Sequence, residues 1–477
     1  MRQVIYLFFL GSILISQNSV NIIESEKIQY TSIDNQKCQK LSGNILIEYN
    51  NMQIKIDTAI IFEKSKLITG WGNANIYNDS IFISCDSVSV RRNEETIIFY
   101  NNIILKKDTV NINANYMEYN YEGGWITYNN GGTFKTNQLS IHSDILNYNI
   151  KTEEAHFIKN VTCNNTEYNI FSKHLITLDN IIYFEDSSKV ELTDKTIYFN
   201  RGKKDNNKNT EVLYNVKVID SNQIIKSDLL NRDITNNISY FNKNISIKID
   251  STINIYGDKL KQTLNQYLIT KNCKISLMSS QDSIIITGDS IKINSRDDVE
   301  IIRNIQIKGE EISGQCNNML FLNEKNIIEM IDKPVLIFKN TKLYGEKIIL
   351  FNNQNELDSI YIPSKPFILS KLDSINFYNQ TKGKILEGKI LKNKIELLRI
   401  NGNTEMKHFQ TLKSKNMLGL NNIISSGIEI QLHNNSISNV KCINKIDSHY
   451  FEFNTKKAKT MDYNTLYIEG FKDEYIE

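Results

Sequence analysis

Proline is almost missing from this sequence, with three residues in 477, and glycine is held to twenty. Making turns therefore falls largely to asparagine, which tolerates positive φ, while the abundant isoleucine and tyrosine favour strands. No charge of one sign prevails: 56 Lys plus Arg stand against 54 Asp plus Glu. That balance removes the electrostatic reason to expect nucleic acid or an anionic membrane surface as partner. The six histidines (142, 156, 174, 408, 433 and 449) are scattered, and neither His-Glu-x-x-His nor a Cys/His metal spacing occurs. Gly-x-Ser-x-Gly, P-loop and dinucleotide fingerprints are also missing. No group of residues converges as an acid–base site would need, so no catalytic residue, metal or cofactor is expected. His142 and His174 fall at outward strand positions and read as solvated surface. The Asp-Ser and Asp-Thr pairs at 79–80, 108–109, 250–251, 282–283 and 373–374 recur about once per unit and read as turn formers rather than calcium sites.

Long apolar runs are absent after the first residues. Met1 and Arg2 make a short basic start, and Val4 to Ile15 (VIYLFFLGSILI) is apolar apart from Gly11 and Ser12. A run of that length falls short of the roughly 20 residues a spanning helix needs and suits a signal-peptide core. Residues 1–19 are assigned to this segment, either cleaved near Ser16 or Ser19 or retained as an anchor. Cys38 lies too far downstream to be a lipidated cysteine. The mature chain is expected outside the cytoplasm, in the periplasm, with outer-membrane association open. Six cysteines (38, 85, 163, 273, 316 and 442) would permit disulfides there, but their wide, irregular spacing favours free, packed thiols.

What is present is a repeat. In Asp79 to Val90 (DSIFISCDSVSV), Ile81 and Ile83 alternate with polar residues, then come Cys85 and Asp86, then Val88 and Val90. The apolar positions are odd before Asp86 and even after it. Because a strand alternates its faces with period two, that parity shift marks a bulge or corner at Cys85-Asp86. The phrase recurs in Val110, Ile112, Ala114, Met117 and Tyr119, and in Leu139, Ile141, Ser143, Leu146 and Tyr148. It recurs again around Gly257-Asp258, Gly288-Asp289 and Gly345-Glu346. Weaker copies centre on Thr58, Ser172, Asp194, Ser227 and Cys316, and corners fall about 29 residues apart. A second phrase lies between corners, with apolar alternation broken by Asn or Gly, as in IIFYNNIIL (97–105), WITYNNGGTF (125–134) and ISYFNKNISI (238–247). The breaks read as turn chemistry. Each unit then gives strands to two facing layers, stacked unit on unit.

This pattern predicts an all-β fold, an elongated stacked-strand β-jellyroll of about eleven units of ~29 residues. Arg201 to Thr210 (RGKKDNNKNT) reads as a polar loop between a first array (20–200) and a second (211–370). The repeat loosens in a C-terminal part, 371–477. The inward Ile, Leu, Val and Met side chains either close on each other as a dry core or stay splayed around an apolar ligand. The ends of such an array carry unpaired strand edges open to strand addition.

Residues 41 to 90 resemble the OstA/LptA-type repeat, in which Gly-Asn opens a strand, an acidic corner follows, and a second Gly-Asn precedes the next strand. Gly43-Asn44 and Gly72-Asn73 match. Phe377 to Lys384 (FYNQTKGK) and Asn401 to Glu405 (NGNTE) are similar to segments of long OstA-like proteins. The resemblance implies a V-shaped, open β-jellyroll whose interior holds the acyl chains of lipid A and carries lipopolysaccharide towards the outer membrane. It also implies head-to-tail pairing with other Lpt components or with a second copy. Groove lining would fall to Ile54, Ile56, Ile81, Ile83, Val88, Val110, Ile112, Met117, Leu139, Ile141 and Leu146. The chain is much longer than a single bridge protein and lacks the long C-terminal membrane barrel of the outer-membrane translocon. The alternative is a structural or adhesive β-solenoid with a dry core and no ligand.

Overall fold

A computed structural model describes residues 19–468, apart from 79, 166, 250–252, 279–282, 354–355, 372–377, 412–416, 434–435 and 455–465. The apolar segment expected to direct export, and several of the Asp-Ser pairs, lie outside the described residues. Among the described residues no helix is long and apolar enough to cross a membrane. The architecture is all β, built from antiparallel strands, with two 3₁₀ turns at Arg92–Glu94 and Asn323–Lys325. The chain divides into two compact units, 1–209 and 210–477.

The corner inferred from parity is real. In the strand Phe82–Arg91, Ile83 and Cys85 are buried, Asp86 is exposed, and Val88 and Val90 are buried again. Across the ladder Trp71 pairs with Ser87 and Ala74 pairs with Cys85, so Gly72 and Asn73 together oppose Asp86. On the other side Asn101 and Asn102, at φ 60° and 50°, sit inside one strand, Thr96–Lys107. The Asn101-Asn102 and Lys243-Asn244 breaks are therefore not the chain reversals expected from turn chemistry. They are two-residue left-handed bulges that bend a continuing strand through the corner, whereas at Asn129-Asn130 the strand is interrupted between Trp125–Tyr128 and Gly132–Lys135. Asparagine is selected because it tolerates that conformation and its amide has a partner there.

That partner is acidic. Asn73 Nδ2 donates to Asp57 at 2.9 Å, Asn102 to Asp86 at 2.9 Å and Asn160 to Asp144 at 2.8 Å in the first unit. Asn244 donates to Asp228 at 2.8 Å, Asn272 to Asp258, and Asn304 to both oxygens of Asp289 at 3.1 Å in the second. The acidic corner and the Gly-Asn or Asn-Asn of the next strand are thus two halves of one rung. The small residue before the acid also has work to do. Ser143 and Ser172 hydroxyls donate to carbonyls two residues on, at 2.9 and 3.0 Å, and the Cys85 thiol does the same at 3.3 Å. At Gly288 even a Cβ would come within 2.5 Å of Ile301 Cγ2, so the facing strand enforces smallness.

Two assignments from sequence change. Asp194 is not a corner; it lies in the turn joining Ser188–Glu191 to Lys195–Phe199, closed by Leu192 N–H to Lys195 O at 2.9 Å. The bend there comes at Asn200, before the strand Arg201–Asp205, which restores a spacing of about 28 residues. Arg201–Asp205, expected within a loop, pairs with Ile181–Phe184. Its run of Gly202, Lys203 and Lys204 hid the strand, because pairing with Phe184 and Ile182 puts Gly202 and Lys204 at the inward positions, where no apolar side chain marks them. After residue 370 the strands lengthen to Lys394–Thr411 and Met417–His433. Their mutual register still shifts between Asn401 and Thr404, where Gly402 and Asn403 have positive φ. All six cysteines are free and all but Cys442 are buried.

Candidate functional site

Because each strand bends at its corner, its two halves belong to different ladders. In the first unit, stretches such as 87–91, 96–100, 116–120, 125–128 and 145–149 pair among themselves, and so do 82–85, 103–107, 110–114, 132–135 and 140–143. The two ladders form layers joined along the corners, with a far edge on each layer where the hairpin turns lie. The apolar faces meet between the layers.

The structure places the expected lining residues in this interior. Ile54, Ile56, Ile81, Ile83, Val88, Ile112, Met117, Ile141 and Leu146 are all buried, Ile112 completely. Val110 and Leu139, next to hairpin turns, are half-buried. The interior is not uniform along the chain. From Leu41 to Met117 its buried side chains are nearly all aliphatic, with Phe99 and the edge residue Tyr49 the exceptions. Beyond it, rings bridge the layers: Phe134 meets Phe157 at 5.2 Å and Tyr148 at 5.4 Å between centroids, and Phe184 meets Phe199 at 5.0 Å. In each pair one ring comes from each ladder.

The far edges touch as well. Tyr49 ends one layer's strand and Tyr121 stands in a turn of the other, with hydroxyls 3.0 Å apart and rings edge-on at 6.0 Å. Lys107 Nζ, beside the 108–109 turn, reaches Glu153 Oε1 in the opposite turn at 2.9 Å. In the second unit Gln223 Nε2 donates to Tyr267 Oη at 2.6 Å across the same kind of gap, and Gln262 Nε2 donates to it at 3.1 Å. Burial, then the bond to Tyr49, pushes the Tyr121 phenol well above its ordinary value, and the bond to Glu153 raises Lys107. Both stay in their neutral and charged forms respectively at neutral pH. Sequence reasoning missed these clasps. Their partners lie 72, 46 and 44 residues apart and on different layers, where no repeat period pairs them.

Outside the corner at Asn115 the rung is missing. Where an acid and an Asn would stand, the chain has Asn115 and Gly131, and nothing approaches Gly131 within 4 Å of a would-be Cβ. The resulting recess is lined by Asn102, Asn113, Asn130, His142, Asp144 and Lys159. His142 is exposed, as expected, but His174 is half-buried, 5.9 Å from the His156 ring, and its Nε2 has no partner. His156 itself bonds Glu154 at 2.8 Å. Among the described residues no group of three His, Cys, Asp or Glu side chains could hold a metal ion.

Residues 17–173 match the family model described as OstA-like protein. No curated protein matches the chain. Among solved structures, the chain is similar to LptH from Pseudomonas aeruginosa, described as the LptA homologous periplasmic component of the conserved lipopolysaccharide transport device. The identity is 10% and the TM-score 0.18, covering 28% of this chain and 80% of that one.

Proposed function

Residues 17–173 being OstA-like, we propose that this chain is an exported carrier. It takes lipopolysaccharide by its acyl chains into the aliphatic stretch of its interior, between Leu41 and Met117, and passes it towards the outer membrane. The observation that carries the reading is chemical: a two-layered interior of aliphatic side chains whose far edges are held together by polar side chains. The layers are closed as they stand, so acyl chains enter by parting them at the clasped edges. The balance favours this. A hydroxyl contact holds about 0.5–1.5 kcal/mol and a half-exposed ion pair such as Lys107–Glu153 roughly 1 kcal/mol, whereas each methylene taken from water contributes about 0.8 kcal/mol. An acyl chain of a dozen methylenes thus outweighs the clasps, and the parted side chains meet hydrocarbon rather than water.

A second reading has its own support. The ring contacts at Phe134, Phe157, Phe184 and Phe199 are those of a dry core, which favours a structural role for the stretch from Trp125 to Asp205. Mass spectrometry of lipid extracted from the gently purified protein tests both. Co-purifying lipopolysaccharide that is lost in Ile83→Asp or Ile112→Asp, with the fold retained, supports the carrier. A stably folded, lipid-free protein leaves the structural role.

A further inference from the structure

In most of the chain, strand residues that point away from the interior are half-exposed or exposed. Two strands of the second unit break that rule. Phe367–Lys371 has its first four residues buried and so does Tyr378–Lys382, which means both faces are covered. The register assigns the faces. Leu343, Ile368, Thr381 and Met406 lie side by side on the inner face. Tyr344, Phe367, Leu369, Tyr378 and Gln380 lie on the outer one. The outer face is apolar and carries, in its midst, an uncharged amide that is completely buried.

What covers it is a short stretch from near the other end of the sequence. Ile468 is 1% exposed and packs with Phe367, Leu369 and Tyr378, with Tyr344 and Tyr467 against the same cluster. Leu466 is buried as well. Gln380 meets the backbone of this stretch twice. Its Nε2 donates to Leu466 O at 3.0 Å, and its Oε1 accepts from Ile468 N–H at 3.0 Å. One amide side chain thus satisfies both the C=O of Leu466 and the N–H of Ile468, on either side of the bend at Tyr467. A buried amide without such partners would cost about 1–3 kcal/mol, so the site is built to be filled. Recognition is by backbone plus two apolar side chains on alternate residues. Nothing in it requires that the bound segment belong to the same chain.

We infer that this outer face is a peptide-binding site, selecting a short bent segment of the pattern apolar–x–apolar, and that Leu466–Ile468 is its resident, displaceable occupant. The occupant is tethered: eleven residues lie between Asn454 and Leu466, and a segment tethered within one chain acts at an effective concentration of the order of millimolar. A competing segment from another protein therefore binds only where the resident has been released or outcompeted. The site is independent of the interior and does not rest on the carrier reading.

The test uses the full chain and a fluorescent synthetic peptide of residues 463–471. In Leu466→Asp/Ile468→Asp protein the resident is released, and the peptide is expected to bind saturably. The intact chain should bind it at least ~100-fold more weakly, because the tethered copy competes. A peptide carrying Leu466→Asp and Ile468→Asp should not bind. Adding Gln380→Leu to the released protein should abolish binding while hydrogen exchange shows strand Phe367–Lys371 still protected. Equal binding to intact and released protein, or no binding to a released protein that is folded by the same measure, overturns the inference.

Discussion

The rung between Asp86 and Asn102 separates two contributions that a single alanine substitution would merge. Asn102 has φ 50°, and its Nδ2 donates to Asp86 Oδ2 at 2.9 Å on an exposed corner. Asn102→Ala loses the hydrogen bond, worth about 0.5–1.5 kcal/mol, and leaves in the left-handed region, which costs a residue with a Cβ roughly 1–2 kcal/mol, a side chain without the local polar contacts by which asparagine offsets that cost. Together these predict a loss of about 2 kcal/mol. Asn102→Gly loses the same bond but relieves the backbone, at an entropic cost of roughly 0.5–1 kcal/mol, and should lose about 1 kcal/mol. Asp86→Ala leaves the backbone alone and should lose only the bond. Both tryptophans, Trp71 and Trp125, lie in the first unit, so tryptophan fluorescence during urea denaturation reports on that unit. The expected order is Asn102→Ala worst, then Asn102→Gly, then Asp86→Ala, with a coupling of ~0.5–1 kcal/mol between Asp86 and Asn102 in a double-mutant cycle. Equal losses for Ala and Gly would show that the left-handed backbone adds nothing beyond the lost bond, and zero coupling would show that the bulge rather than the rung holds the corner; either result refutes the reasoning.

Burial drives the Cys85 and Cys316 thiols up to about 12 and those of Cys163 and Cys273 up to about 11, from an ordinary 9.0. Folded protein should therefore resist thiol reagents at pH 8 except at Cys442, and all six should label in denaturant. The folded state holds these protons longer than the unfolded one. Stability is thus full below pH 9 and falls as pH rises towards 11–12, which urea midpoints measured at pH 8 and pH 10 will show. His408 is shifted the other way, its burial disfavouring the imidazolium. Its contribution is present above its ordinary value and is lost as pH falls below it. Hydrogen exchange in Lys394–Thr411 should quicken between pH 7.5 and 5, after correction for intrinsic rates, and much less so in His408→Leu. Phe157→Ala should destabilise the first unit by about 3–5 kcal/mol, read by the same tryptophan signal, since its ring meets Phe134 across the layers.

Most of the repeat was legible because one physical rule, the two-residue period of a strand, was broken at regular intervals. Each break needs a small residue, an acid and a pair of residues at positive φ, and all three leave a mark in the sequence. The misreadings have a common origin. Asn101-Asn102 reads as a hairpin because two left-handed residues reverse a chain when nothing pairs alongside. Inside a ladder, with Asp86 waiting across the corner, the same two residues only bend it. Asp194 read as a corner because an acid between apolar stretches looks the same at a turn. Contacts between layers left no such mark. Tyr49 and Tyr121, or Phe184 and Phe199, meet by the packing of one layer on another, and that geometry follows no spacing along the chain.

The aliphatic interior and the ring-bridged interior make opposite demands on one fold, and a direct measurement can set them apart. If the layers part to admit acyl chains, the parting must stop where rings cross between them, because separating Phe134 from Phe157 forfeits contacts worth about 0.5–1.5 kcal/mol beyond area burial. A reducible bifunctional thiol cross-link replacing the Tyr49–Tyr121 clasp, made between cysteines introduced as Tyr49→Cys/Tyr121→Cys because the side chains meet only at their tips, should then block lipid uptake, and reduction should restore it. The same lock placed at Lys107 and Glu153, nearer the rings, should reduce uptake less. Unaffected uptake by the cross-linked Tyr49→Cys/Tyr121→Cys protein, with cross-linking verified by mass, would mean that acyl chains do not enter between these edges. The aliphatic stretch would then be what the ring-bridged stretch already is, a core.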